Sequence, residues 1–206
     1  MIRWTYAVTS GAEDFWARCG GPWLRTDGPG PAHPELCVDD VAAFEQHLRQ
    51  RGGDPARAEV VARHGDRLEL RSPGGFPFTV VPWTGGHPPP ERRTSLVDQV
   101  CLDISPGAYD TEVAFWAALT GWELRAFPPE FHRLVRPPGL PVHLLLQRTD
   151  GEQPPSAHLD LACTDVAAER ARHESLGATF VAEFPEWTVM RDPAGGVYCL
   201  THRQPA

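Results

Sequence analysis

The amino-acid sequence predicts an α+β fold that is built from repeated strand–helix–strand units. Two observations support this prediction. Three pairs of similar segments occur in the same order in the two halves of the chain, and a stretch rich in glycine and proline separates the halves. Recurrence in one order indicates that a structural unit has been duplicated, because unrelated segments have no reason to keep a common order.

The first repeated pair predicts a strand that is followed by a helix. Its two copies read HPELCVDDVAA from His33 and HLDLACTDVAA from His158. Apolar and polar residues alternate before the aspartates, as in a half-buried strand. Asp39 or Asp40 in the first copy and Asp165 in the second are placed to cap the helix, because a carboxylate there accepts hydrogen bonds from the free amides of the first turn.

The other two pairs predict tight turns and buried helices. The sequence RSPGGFPFTV from Arg71 matches RDPAGGVYCL from Arg191, and each predicts a Pro/Gly turn that leads into a strand. The aromatic pairs Phe15–Trp16 and Phe115–Trp116 each follow an alternating strand by a few residues. We expect both pairs on helices, with Trp16 and Trp116 packed into the core.

A linker is predicted between the two halves. Residues 84–94 read TGGHPPPERRT and show no apolar periodicity, which is typical of a segment that joins two domains. We therefore predict one domain over residues 1–86, a linker over 87–94 and a second domain over 95–206.

The two predicted domains differ in length. The second contains two strand–helix–strand sets, which start at Val97 and His158 and indicate a repeated βαβββ unit. In the first domain about 25 residues separate the first strand from His33, whereas about 55 separate the corresponding strands of the second. We therefore expect the first domain to be a shortened copy that lacks one or two strands.

Composition excludes several classes of protein. The net charge of −8 argues against a nucleic-acid binder, which needs a basic face to neutralise phosphates. None of the 19 basic residues is lysine, which excludes Schiff-base chemistry and a Walker-type phosphate loop. Neither a membrane-spanning apolar run nor a signal-peptide pattern occurs. We expect a cytoplasmic monomer or homodimer that contacts no membrane and keeps its five cysteines reduced.

A resemblance to a known family makes the fold more specific. The HLDL strand from His158 with its capped helix, and the RDPAGG turn from Arg191, resemble the glyoxalase-like branch of the vicinal-oxygen-chelate superfamily, which includes the bleomycin-resistance proteins. The resemblance covers residues 95–206 well and residues 1–86 only in part. It implies that paired βαβββ modules form a cupped mixed sheet, and that the cup holds a metal or a small ligand.

Strand alternation predicts which side chains face this cup. The apolar residues of each strand should pack under the helices, which leaves the polar residues between them on the concave side. Trp122, Phe184 and Trp187 are the aromatic residues that we expect near a ligand. The candidate ligand-binding residues are Gln99, Cys101, Asp103, Cys199 and Trp187, and the candidate catalytic residues are His158 and Asp160.

The resemblance also implies metal positions at Gln99, His158 and Cys199, with either His143 or Gln147 as a fourth. Metal enzymes of the family usually present histidine or glutamine together with glutamate at these positions. One imidazole, one amide and one thiol are a weak set for iron or nickel, although a thiolate could hold zinc. We therefore expect no catalytic metal and no other cofactor. The corresponding set in the first domain is weaker still: Arg3, His33 and Thr79.

Two classes of function follow. The first is the binding of a small molecule in the cup without chemistry, as in the bleomycin-resistance proteins. Such a protein would serve resistance or specialised metabolism. The seven tryptophans suggest that the ligand is aromatic. The second is a lyase, isomerase or epimerase in which His158 is a general base, oriented by Asp160, with or without a divalent metal. A degenerate structural domain is a third alternative, which suits the shortened first domain better than the second.

Overall fold

A computed structural model describes residues 2–7, 11–20, 24–25, 33–50, 57–84, 94–127, 129–140 and 142–205. These residues form fourteen strands and four helices. In the N-terminal half the elements are β1 (Ile2–Ala7), α1 (Glu13–Cys19), β2 (Leu24–Arg25), β3 (His33–Val38), α2 (Val41–Gln50), β4 (Glu59–His64), β5 (Arg67–Arg71) and β6 (Pro77–Pro82).

The C-terminal half contributes eight strands and two helices. They are β7 (Ser95–Ile104), α3 (Tyr109–Thr120), β8 (Glu123–Phe127), β9 (Phe131–Val135), β10 (His143–Arg148), β11 (Ser156–Cys163), α4 (Val166–Ser175), β12 (Thr179–Glu183), β13 (Trp187–Arg191) and β14 (Val197–Thr201). None of the helices in the described part of the chain is both long and apolar enough to cross a membrane.

The strands form two mixed sheets, one in each half of the sequence. Strand order is β2-β1-β3-β6-β5-β4 in the first sheet and β12-β13-β14-β11-β7-β10-β9-β8 in the second. Three complete βαβββ sets follow one another, beginning at β3, β7 and β11. Before them, β1 and α1 are followed within the described residues by the single short strand β2. The predicted α+β class, with paired βαβββ modules and a shortened N-terminal copy, is confirmed.

The chain also divides into two compact units that alternate along the sequence. The first unit comprises Met1–Thr5, His33–Gly85 and Leu102–Ala157, and the second comprises Tyr6–Ala32, Gly86–Cys101 and His158–Ala206. The predicted linker lies almost entirely outside the described residues. The domains predicted on either side of it, over 1–86 and 95–206, therefore stay a prediction.

In the first unit a buried carboxylate joins helix α3 to the turn between β5 and β6. Glu112 Oε2 accepts a hydrogen bond from Trp116 Nε1 at 2.6 Å, and its Oε1 accepts from Ser72 Oγ at 2.5 Å and from the Gly74 amide at 2.6 Å. Burial raises the pKa of Glu112, and these three hydrogen bonds offset the effect only in part. Trp116 is fully buried as predicted and packs edge-on against Phe78, with ring centroids 4.9 Å apart.

The second unit repeats this arrangement with helix α1 and the turn between β13 and β14. Trp16 Nε1 donates to Asp192 Oδ2 at 2.9 Å, and the Trp16 ring meets the Tyr198 ring edge-on at 5.1 Å. The Tyr198 hydroxyl lies 2.9 Å from Nδ1 of the buried His173 on α4. The Phe–Trp pairs and the Pro/Gly turns therefore recur in the sequence because each unit packs one of these helices against one of these turns.

The predicted helix caps are present. Asp165 Oδ1 accepts a hydrogen bond from the Ala168 amide at 3.0 Å at the start of α4. At the start of α2, Asp40 Oδ1 accepts from the Ala43 amide at 2.9 Å. Of the two aspartates that the sequence left open, Asp40 is thus the one whose carboxylate caps the helix.

Candidate functional site

The candidate residues of the second unit lie on β11 and β14, which run parallel. Leu159 pairs with Tyr198, and Asp160 pairs with Cys199. Because the Tyr198 ring contacts Trp16 of helix α1, Leu159 and Tyr198 occupy the helix-covered face of these strands. Asp160 and Cys199, one residue further along each strand, point to the opposite face, in the alternation that the sequence predicted.

Four of these side chains meet on that opposite face, and we call them the His158 cluster: Gln99, His158, Asp160 and Cys199. Gln99 Nε2 donates to Asp160 Oδ2 at 2.6 Å, and His158 Nε2 lies 3.5 Å from Asp160 Oδ1. One donor atom each from His158, Asp160 and Cys199 lies within 4.8 Å of the other two. All four side chains are largely or fully withdrawn from solvent.

A cation that the sequence analysis missed lies beside this cluster. Arg203 Nε and Nη2 donate to the two carboxylate oxygens of Asp98 at 3.1 and 2.5 Å, and its Nη1 is 3.9 Å from Asp160 Oδ2. Burial alone would lower the pKa of Arg203, but the hydrogen bonds to Asp98 and the nearby negative charges raise it instead. Arg203 follows the last strand and belongs to no repeated segment. Arg203 could have been identified from the sequence because two buried aspartates, Asp98 and Asp160, require a positive charge nearby.

Cys101 adjoins the cluster, because it is fully buried in the second unit and its Sγ lies within 4.8 Å of a His158 ring nitrogen. Asp103 belongs to the first unit and accepts a hydrogen bond from Ser156 Oγ at 2.9 Å. Trp187 pairs with Thr201 across β13 and β14, two residues from Cys199, and therefore shares its face. Its ring stacks on Phe184 with centroids 5.1 Å apart. The third aromatic candidate, Trp122, is buried in the first unit.

The first unit contains a matching group of residues on β3, β5 and β6. Glu35 pairs with Thr79 across the parallel strands β3 and β6, as Asp160 pairs with Cys199. Arg67 Nη1 donates to Glu35 Oε1 at 2.8 Å, and Arg67 Nη2 lies 3.0 Å from His33 Nε2. Thr79 Oγ1 donates to the same Glu35 oxygen at 3.4 Å. His33 and Thr79 were predicted here, but Arg67 and Glu35 were not, and the Arg3 side chain lies outside the described residues.

The donor atoms of the His158 cluster fit a divalent metal of the zinc type. An imidazole nitrogen, a carboxylate oxygen and a thiol sulfur within 4.8 Å of one another are the ligand types that Zn²⁺ binds in proteins. The argument from sequence against a metal counted only Gln99, His158 and Cys199, and Asp160 adds the carboxylate that this set lacked. If bound, such an ion would supply Lewis acidity, and His158, Asp160 and Cys199 would hold it. The absence of a catalytic metal stays a prediction.

Comparison with known proteins identifies the family. Residues 99–201, half of the chain, match the family described as glyoxalase-like domain. The matched segment begins at Gln99 and includes every member of the His158 cluster. No curated protein matches the chain in sequence.

Solved structures share the fold at low sequence identity. A triple mutant of 4-hydroxymandelate synthase from Streptomyces coelicolor is 16% identical, with a TM-score of 0.56 over 90% of this chain and 79% of that one. A 2,2',3-trihydroxybiphenyl 1,2-dioxygenase from Sphingomonas wittichii is 14% identical, with a TM-score of 0.55 over 97% and 88% of the two chains. A halotolerant catechol dioxygenase is 9% identical, with a TM-score of 0.53 over 96% and 85%. These structures show that the chain has the fold of the vicinal-oxygen-chelate superfamily, and the family match over half of its length shows that it belongs to the glyoxalase-like family.

Proposed function

We propose that the second unit binds a small molecule at the His158 cluster. The observation that carries this proposal is the side-chain carbonyl of Gln99. Gln99 is fully buried, and its Oε1 has no hydrogen-bond partner among the described residues. The amide orientation follows from its partner, because the Asp160 carboxylate can only accept, so the nitrogen must face it and the oxygen must point elsewhere.

A buried acceptor without a partner is costly. Leaving it unsatisfied costs about 1–3 kcal/mol, and such groups are rare in folded proteins. A ligand that presents an O–H or N–H group to Gln99 Oε1 removes this penalty. The polar side chains of His158, Asp160 and Cys199 beside it would then orient the rest of the ligand.

Hydroxylated aromatic compounds are the class of ligand that the site suits best. Trp187 lies on the same face as Cys199 and stacks on Phe184, which is 46% exposed, so the two rings offer an aromatic surface beside the polar cluster. A phenolic hydroxyl is also a good donor to a buried carbonyl. The enzymes of similar fold are named for compounds of this kind, namely 4-hydroxymandelate, trihydroxybiphenyl and catechol.

Titration calorimetry with catechol and 4-hydroxymandelate tests the proposal, together with native mass spectrometry of whatever co-purifies. Replacing Gln99→Leu should weaken binding about 10- to 100-fold, the usual effect of losing a hydrogen bond to a buried group. His33→Ala is the matched control, because it changes the corresponding residue of the first unit and should leave affinity unchanged. Absence of any binding or co-purifying compound, or equal affinity in the Gln99 variant, would contradict the proposal.

The contact between His158 and Asp160 favours a second candidate, a lyase, isomerase or epimerase. A carboxylate 3.5 Å from an imidazole nitrogen can orient the ring and stabilise its protonated form, as general-base catalysis requires. Such a base would replace the α hydrogen of 4-hydroxymandelate by deuterium in D₂O, and NMR would detect this exchange. His158→Gln should then lower the exchange rate about 10²- to 10⁴-fold with little change in affinity. Exchange that persists in this variant would exclude His158 as the base.

A further inference from the structure

The three complete βαβββ sets allow one strand to be compared in three copies. Strands β4, β8 and β12 each follow the helix of their set, and each lies at the edge of a sheet. In the described part of the chain, each therefore pairs with another strand on one side only. The backbone N–H and C=O groups of such an outer edge can pair with a strand of another chain, and proteins commonly block this pairing.

A β-bulge interrupts two of the three copies. On β4 the register with β5 shifts between Val60 and Ala62. On β12 the register with β13 shifts between Phe180 and Ala182, which is the equivalent place. A bulge bends an edge strand and disturbs the regular spacing that its outer groups need for pairing, so it protects the edge.

Strand β8 keeps a regular edge. Its residues at the equivalent place are Leu124 and Ala126, and its register with β9 is continuous from Glu123 to Phe127. Between them stands Arg125, where the two bulged copies have valine. All five residues of β8 are exposed, and they include the apolar side chains of Leu124 at 40% and Phe127 at 44%. The device that protects the other two edges is therefore replaced here by a straight strand with an apolar surface.

The exposed side chains of β8 also carry two opposite charges. Glu123 and Arg125 lie two residues apart and therefore on the same face of the strand, and Arg125 Nε donates to Glu123 Oε1 at 2.8 Å. More than half of each side chain is exposed. Charges on an edge strand block pairing when the incoming strand brings no compensating charge. A strand that carries both signs can compensate them in a copy of itself.

Symmetry limits the ways in which two copies of β8 can pair. Two antiparallel strands related by a two-fold axis place one residue opposite its own counterpart. An axis at Glu123 or at Arg125 sets like charges opposite each other, which is destabilising. An axis at Leu124 instead sets each Glu123 opposite Arg125 of the second copy and brings the two Leu124 side chains together.

We infer that β8 pairs antiparallel with β8 of a second copy of this chain, centred on Leu124, and that the resulting symmetric dimer joins two sheets into one. About five residues of each strand pair, far fewer than the roughly 20–30 that each partner contributes to a stable interface. The dimer is therefore weak and reversible. This interface belongs to the first unit, so it is independent of ligand binding at the His158 cluster.

Sedimentation equilibrium over about 1–300 µM protein, a range suited to a weak interface, measures the dissociation constant of the dimer. Arg125→Glu and Glu123→Arg each set like charges opposite each other at two places, so each should weaken the dimer about 10- to 100-fold. An equimolar mixture of the two variants should regain the wild-type affinity, because one chain then carries two arginines on this strand and the other carries two glutamates. Glu183→Arg is the matched control, which makes the same change of charge on the bulged edge strand β12 and should leave the dissociation constant unchanged.

Cysteine substitution tests the register. In a dimer centred on Leu124, the Cα atoms of this residue in the two copies lie about 4.5–5.5 Å apart, within the range of a disulfide. Leu124→Cys should therefore form a disulfide-linked dimer on mild oxidation, detected on a non-reducing gel. Ala126→Cys is the control, because its counterpart lies about 14 Å away in this register and should stay unlinked. The five native cysteines are buried and do not compete.

Four results would overturn the inference. The first is a wild-type protein that stays monomeric over the whole concentration range. The second is a dimer that both charge reversals leave unchanged, and the third is a mixture of the two that associates no better than either alone. The fourth is linkage of Ala126→Cys as readily as of Leu124→Cys. Circular dichroism and the thermal midpoint check that each variant is folded, as expected for substitutions on an exposed strand.

Discussion

Acidification from pH 7 to pH 5 should destabilise the protein by about 2 kcal/mol through the single residue His173. The imidazole is fully buried on α4, beside the rings of Phe15 and Tyr198. Burial lowers its pKa from 6.5 to about 4, and the neighbouring Arg172 charge adds to this effect while Glu169 opposes it. The folded protein therefore holds His173 neutral at a pH where the unfolded chain binds a proton.

The sign and size follow from proton linkage. Because the pKa is lower in the folded state, the contribution to stability is fully present above about pH 6.5 and is lost as the pH falls toward 4. The whole difference corresponds to about 3 kcal/mol, of which about 2 kcal/mol is lost between pH 7 and pH 5. Replacing His173→Phe removes the titrating group, so its free energy of unfolding should depend less on pH in this interval.

Urea denaturation at pH 7, 6 and 5, under reducing conditions, measures this effect. Titrating groups that do not contact His173 contribute equally to wild type and variant, so the difference between their pH slopes reports His173 together with Glu169, whose Oε2 lies 3.6 Å from the imidazole. His47→Gln changes an exposed histidine and should keep the wild-type slope. If wild type and His173→Phe lose the same stability between pH 7 and pH 5, the assignment of a neutral buried imidazole is wrong.

Three other predictions concern packing and thiol reactivity. Replacing Trp116→Ala should lower the free energy of unfolding by about 3–5 kcal/mol, measured in urea, because it empties a fully buried ring site. Gly74→Ala places a Cβ 2.5 Å from Glu112 Oε1 and should lower the free energy of unfolding by about 1–3 kcal/mol. Gly151→Ala is the control, because its Cβ meets nothing within 4 Å and should leave stability unchanged. Equal urea midpoints for the two variants would contradict this prediction. Burial, followed by the Glu169 charge, raises the pKa of the Cys163 thiol to about 12, so alkylation at pH 8, mapped by peptide mass spectrometry, should modify it only in unfolded protein.

Features that depend on local periodicity were predictable from the sequence. Strands alternate their side chains with a period of two, so the face of Asp160 followed from Leu159 and Leu161 beside it, whereas the face of Cys199 was expected from the family resemblance. The helix cap at Asp165 was predictable because capping is also local and involves only residues within one turn of the helix. The three repeated segments then predicted the βαβββ sets, although the contacts between their residues were not known.

Contacts between distant residues were not predictable in this way. Alternation places Glu35 on a face but does not show that Arg67, on another strand, neutralises it. The pairing of Arg203 with Asp98 likewise joins residues whose local sequence shows no pattern. The carboxylate of Asp160 was assigned to orient His158, and its place beside Cys199 became clear only from the register of β11 and β14.

Each of the two units is built from segments of both halves of the sequence, and this arrangement has an evolutionary consequence. Glu112 of the C-terminal half satisfies Ser72 and Gly74 of the N-terminal half, and Trp16 of the N-terminal half satisfies Asp192 of the C-terminal half. Because buried groups of each half find their partners in the other, we expect each half of the sequence to be required for the folding of the other. We infer that the N-terminal copy was retained for this reason, as a scaffold that the fold of the C-terminal copy requires.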